Sequence, residues 1–259
     1  MFSMPWKLQS GLGKDQSGFF PGAVMHIMRC CQLRRKLRIT NTMLRFVGIL
    51  MLLLICGCSW KDHVELTICC AGDSLMRPIP SHLKKFLPLH EANFNIKDWA
   101  RGGLSSRTYM SYYKRRVRQR GEKFMDFILL QLGTNDVPHL YSGEYPLTLF
   151  EANLKLIVDE FKKCPTERQG SVKILIASVP PLCAPEYITM NFYIQNTLNP
   201  VIKKLSETER LFYVDNWSLL NKRDHLYRPD GIHPSLYGEK VLTQNWILAM
   251  RKAVRSAFP

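Results

Sequence analysis

From residue 63 onward the sequence predicts an α/β domain built on a mainly parallel, five-stranded sheet covered by helices on both faces. Three observations predict it. Short apolar runs alternate with amphipathic stretches of helical length. The runs are apolar nearly throughout, as strands buried on both faces require, and no repeat or low-complexity linker interrupts the series. At 259 residues, 46% hydrophobic and 22% charged, the chain can bury one full core and is too short for two large domains.

The predicted strands are Val64 to Cys70, Phe94 to Lys97, Phe127 to Leu132, Val172 to Ser178 and Leu211 to Val214. The predicted helices are Ser81 to Leu89, Ser105 to Arg120, Leu147 to Lys163, Tyr187 to Ser206 and Tyr237 to Phe258. Leu147, Phe150, Leu154, Ile157, Val158 and Phe161 show the basis for the helices, because their three-and-four spacing gives one buried face. Cys69 and Cys70 are neighbours on the first strand, so they point to opposite faces as buried thiols. Cys164 ends a helix and Cys183 follows the next strand, at opposite ends of the sheet, which argues against a disulfide between them. No metal-ligand spacing appears among the cysteines.

Residues 1–62 form a separate segment ahead of the domain at 63–259. Of the formal charge of +15, about half comes from residues 1–45, which hold Lys7, Lys14, Arg29, Arg34, Arg35, Lys36, Arg38 and Arg45 against Asp15. The apolar run "FVGILMLLLICGC" at 46–58 follows directly. It is short for a spanning helix and matches the apolar core of an export signal behind positive charge. "ICGC" ending at Cys58 resembles a bacterial lipoprotein cleavage box, with Met43 as an alternative start. The expectation is an exported or membrane-associated protein, through a cleaved or lipidated signal or a retained anchor.

In a parallel sheet ligands bind beyond the carboxyl ends of the strands, and four polar clusters fall there. Gly72-Asp73-Ser74 ends the first strand, "DWARGGLSS" at 98–106 follows the second, "LGTND" at 132–136 ends the third, and "RPDGIHPS" at 228–235 follows the fifth. Each alone is ordinary turn chemistry. Together they supply the parts of an acyl-transfer site: Ser74 as nucleophile, His233 as base, Asp230 to orient the base, and oxyanion donors from the Ser74 and Gly103 backbone and the Asn135 amide.

As a set these blocks resemble the GDSL esterases, or SGNH hydrolases. "GDSL" at 72–75 matches the first block, Gly103 and Ser105 the second, "GTND" the third and "DGIHPS" the fourth, over roughly residues 64 to 256. Asp98 stands where the family usually has asparagine, and Gly102 competes with Gly103 for the oxyanion role. The resemblance implies a three-layer α/β/α sandwich, flavodoxin-like, that hydrolyses acyl or acetyl esters of carbohydrate or lipid through an acyl-serine, with no cofactor and no metal. The alternative is a catalytically silent module of the same fold that binds RNA or another polyanion through the basic stretch at 112–123. Retention of Ser74, Asp230 and His233 argues against it, so no nucleic acid is expected. Asp73 and Asp136 are expected to be structural and His139 to sit at the surface or line a pocket, while Trp99 and residues 181–193 either shape substrate access or pack. Met76 and Arg77 depart from the residues often found after the first block.

Overall fold

The computed structural model describes residues 65–87, 93–116, 124–166 and 170–255. The basic leader, the apolar segment at 46–58 with Cys58, Met43 and residues 117–123 of the basic stretch lie outside the described residues. Among the described residues no helix is long and apolar enough to cross a membrane.

Five parallel strands, β1 (Glu65–Gly72), β2 (Asn93–Ala100), β3 (Phe127–Gln131), β4 (Lys173–Ala177) and β5 (Phe212–Val214), form one sheet in the order β2-β1-β3-β4-β5. β1 and β3 sit where the order reverses. Chains that leave the carboxyl ends of these two strands go to opposite sides, and the gap between them is where this architecture places a ligand.

Helices α1 (Ile79–Phe86) and α8 (Leu236–Arg255) cover one face. Ile79, Leu83, Leu242, Trp246 and Met250 form one buried cluster there with Cys70. Helices α2 (Ser106–Arg116), α4 (Leu147–Lys162) and α6 (Asn199–Thr208) cover the other, where Tyr109, Phe150, Phe161 and Ile202 bury against Cys69. Cys69 and Cys70 thus divide between the two cores as strand alternation requires. None of Cys69, Cys70, Cys164 and Cys183 forms a disulfide. Phe161 carries much of the second core, with its ring 6.2 Å from those of Trp99 and Tyr109 and 5.5 Å from that of Tyr113. Trp99 is therefore a packing residue.

The elements depart from the sequence expectation in three places. β2 runs from Asn93 to Ala100 because all eight residues pair with β1, although only its last two are buried. The long helix expected at Tyr187 to Ser206 is divided into a 3₁₀ turn (Pro185–Tyr187), α5 (Ile188–Tyr193), a π-helical stretch (Ile194–Leu198) and α6. Pro200, inside the first turn of α6, cannot donate a backbone hydrogen bond, which accords with the register change just before it. Two short helices, α3 (Val137–Tyr141) and α7 (Asn216–Leu220), were not anticipated, because five residues are too few to show a helical period.

Candidate active site

Ser74 lies in the turn that follows β1, between two buried residues, Asp73 and Leu75. The Asp73 amide donates to the Gln131 carbonyl at the end of β3 (3.1 Å), and Asp73 Oδ1 accepts from the Leu75 amide (2.9 Å). These bonds shape the turn from within. Burial drives the Asp73 carboxyl up to about 7, with the Leu75 amide acting against the rise and nearby Asp136 adding to it. Gln131 ties the neighbouring strand ends together, donating to the Ser178 carbonyl (3.2 Å) and accepting from Asn216 Nδ2 (2.8 Å).

His233 arrives from the loop between α7 and α8. Its Nε2 lies 2.9 Å from Ser74 Oγ and its Nδ1 lies 2.9 Å from Asp230 Oδ2. The spacing of three between Asp230 and His233 has a local cause. Asp230 Oδ1 accepts the backbone N–H groups of Ile232 (2.9 Å) and His233 (2.8 Å), an Asx-type turn that folds the imidazole back over the second carboxylate oxygen. Desolvation works against ionisation of Asp230, but the two amides and the His233 ring outweigh it and hold the carboxyl at about 2. A carboxylate fixed as an anion favours the tautomer with its proton on Nδ1, leaving Nε2 to accept from the serine. Gly231 is required inside this turn: its φ is 65°, and a Cβ there would lie 2.6 Å from the Ala184 nitrogen.

A clamp that sequence reading missed holds the same loop from below. Arg228 donates its backbone N–H to the His233 carbonyl (2.8 Å), Nε to the Pro234 carbonyl (3.0 Å) and Nη2 to Glu239 Oε1 (2.5 Å). Glu239 is buried on α8 and also bonds His82 Nε2 on α1 (3.0 Å). Periodicity identifies α8 as a helix but gives no reason to expect a buried glutamate on it.

Opposite the triad lie the other predicted donors. Among the described residues the backbone N–H groups of Ser74 and Gly103 meet no protein acceptor. Gly103 has φ 78°, a left-handed conformation that other residues adopt only at a cost. It shares a cavity wall with Asn135, whereas Gly102 stands against Ser74, where an added Cβ would come 3.8 Å from the serine's own. The Asn135 amide donates to the Leu104 carbonyl (2.9 Å), which fixes the side chain and leaves its second N–H to point elsewhere. Asp136, next in sequence, is wholly buried. It accepts from the Ser106 amide (2.9 and 3.1 Å), the Ser106 hydroxyl (2.7 Å) and the Tyr145 hydroxyl (2.5 Å). Burial raises its pKa against these donors. It anchors the start of α2 to the end of β3 and makes no contact with His233.

The cavity beside the triad has a volume of about 750 Å³, with Ile232, Leu182, Met190 and Tyr187 giving it an apolar side and Asn135 and Thr108 a polar one. His139 lines it and pairs with Glu144 at 2.5 Å. The segment 181–193 therefore does contribute to the wall. Met76 is buried in the core beneath the turn, and Arg77 is exposed.

The profile of the GDSL-like Lipase/Acylhydrolase family matches residues 69–246. The chain belongs to that family. Its fold is that of the acetylxylan esterase Axe2 from Geobacillus stearothermophilus, at 17% identity and TM-score 0.56 over 73% of this chain and 95% of that one. A GDSL-like lipase from Bacteroides thetaiotaomicron is similar at 18% identity and TM-score 0.56, over 74% and 90% of the two chains. A further GDSL-like lipase, described as putative, from Parabacteroides merdae gives 16% and 0.58, over 72% and 96%. No curated protein matches the sequence.

Proposed function

We propose that this member of the GDSL-like lipase and acylhydrolase family, a family of ester hydrolases, cleaves acyl or acetyl esters of carbohydrate or lipid through an acyl-serine at Ser74. The observation that carries the reading is the continuous chain of hydrogen bonds from Ser74 Oγ through His233 to Asp230, at 2.9 Å in each step. In the first half-reaction His233 Nε2 takes the hydroxyl proton as Oγ adds to the ester carbonyl. The negative charge that develops on the carbonyl oxygen is met by the amides of Ser74 and Gly103 and the free N–H of Asn135. Collapse expels the alcohol, which takes the proton back from His233. In the second half-reaction His233 deprotonates a water that attacks the acyl-serine, releasing the acid and restoring the serine.

The acetyl ester of a glycan is one candidate, supported by the fold shared with an acetylxylan esterase. The apolar side of the cavity, from Leu182 and Met190 to Ile232, suits an acyl group or a sugar face. A location at or beyond a membrane is supported by the basic flank up to Arg45 and the apolar run at 46–58. Intact-mass analysis of the native N-terminus tests that placement: acylated Cys58 or a cleaved terminus supports it, and an unmodified Met1 terminus in a soluble fraction opposes it.

Ser74→Ala is the direct test of the chemistry. It should abolish release of 4-nitrophenol from short-chain 4-nitrophenyl esters while leaving the melting transition in place, and undiminished hydrolysis would remove Ser74 from the mechanism.

A further inference from the structure

We infer that a groove along α2 is a subsite for an anionic group, so that the ester this site serves carries a carboxylate or a phosphate. The inference rests on the esterase reading above and narrows it. The groove encloses about 380 Å³ and begins at Gly102 and Gly103, beside Ser74. Three guanidinium groups, of Arg101, Arg107 and Arg115, line it, and no carboxylate does. Arg107 and Thr108 also line the larger cavity, so the two spaces share a wall.

Each arginine is oriented by a contact that leaves most of its donors unfilled. Arg101 lies over the Tyr112 ring at 5.9 Å and Arg107 over the Tyr145 ring at 5.3 Å, while Arg115 Nε donates to the Ser111 carbonyl at 3.2 Å. Among the described residues none of the three has a carboxylate within salt-bridge distance. Glu144 is within electrostatic reach of Arg107, but it is already bonded to His139. Arg107, Ser111 and Arg115 are four residues apart, on one stripe of the helix, and the two arginines are separated by roughly 12 Å along its axis. All three side chains are exposed, so their planar donor forks are open to a ligand, and an anion that fills one gains charge-assisted hydrogen bonds. The three line one groove that starts beside Ser74.

The test compares kcat/KM within two matched pairs of esters. 1-Acetylglycerol 3-phosphate against 1-acetylglycerol places a phosphate on the alcohol half. Ethyl hydrogen adipate against ethyl adipamate places a carboxylate, or its neutral isostere, on the acyl half. The anionic member of at least one pair should be preferred about tenfold or more at low ionic strength, and the preference should shrink as salt is raised. The pair that shows it identifies which half of the substrate lies along α2 and whether the anion is phosphate or carboxylate. Arg107→Gln and Arg115→Gln should each cut the ratio of anionic to neutral kcat/KM by up to about fivefold, with Arg115→Lys retaining most of it. Equal rates within both pairs, or a preference that survives loss of both arginines, overturns the inference. Failure of the esterase reading looks different: all four esters, anionic and neutral, would then be cleaved equally by wild type and Ser74→Ala, or by neither.

Discussion

The two sides of the proposed triad are held by opposite means, and their carboxylates record the difference. On the nucleophile side Asp73 is wholly buried in the turn after β1, and burial lifts its carboxyl to about 7. On the base side Asp230 sits in a surface loop, its side chain 47% exposed, and backbone amides hold its carboxyl at about 2. Ser74 thus takes its position from a turn whose flanking residues, Asp73 and Leu75, are buried. His233 takes its position from a four-residue turn and from Arg228 beneath it, so its alignment depends on a few polar contacts.

The contrast can be broken first at the base. His233→Ala removes the proton acceptor and should lower kcat by about 10⁴-fold or more, measured on 4-nitrophenyl acetate, with little change in Tm because the side chain lies outside both cores. Asp230→Asn tests whether the turn or the charge matters more. The amide oxygen can still accept from Ile232 and His233, but the imidazole loses its anionic partner, so kcat should fall by about 10² to 10⁴-fold while the loop survives. Asn135→Ala, on the fixed side, should cost about 10² to 10³ in kcat with KM nearly unchanged, as expected for a donor used mainly in the transition state.

Two milder substitutions sharpen the comparison. Glu239→Gln leaves the shape of the clamp and removes the charge that Arg228 and His82 share, and it should cost about 2 kcal/mol of stability. It should also lower kcat without moving the pH profile, because neither partner takes part in proton transfer. The Asp73 prediction concerns pH. Between about 4, where an unfolded aspartate ionises, and about 7 the fold holds a proton on Asp73 that the unfolded chain has lost. Stability contributed by this group therefore falls as pH rises through that window, and Asp73→Asn should flatten the fall in Tm. Asp230 acts with the opposite sign at lower pH: its contribution is present above about 4 and is lost as pH falls toward about 2. Its exposure to solvent keeps that contribution small.

The site was more legible in the sequence than what supports it. Ser74, Gly103 and Asn135 stand in short blocks just beyond strand ends that a parallel sheet brings together, and Asp230 and His233 stand in a block that precedes the last helix. The supports rest on pairings that no local pattern carries. Glu239 meets His82 from 157 residues away, and Asp136 meets Ser106 across 30. Likewise the apolar period from Tyr187 to Ser206 identifies helix but does not reveal the π-helical stretch at Ile194–Leu198, because one extra residue in a turn leaves the hydrophobic stripe nearly continuous. Strand β2 ran past its expected ends because its pairing partner, β1, extends that far, which its own half-exposed residues do not signal.

The most direct measurement of the central claim is covalent labelling of the native chain with a fluorophosphonate, followed by peptide mapping. The account predicts a single stoichiometric adduct on the peptide that contains Gly72-Asp73-Ser74, formed at a rate that collapses in His233→Ala. An adduct on a different residue, or the same rate of labelling without His233, would contradict it.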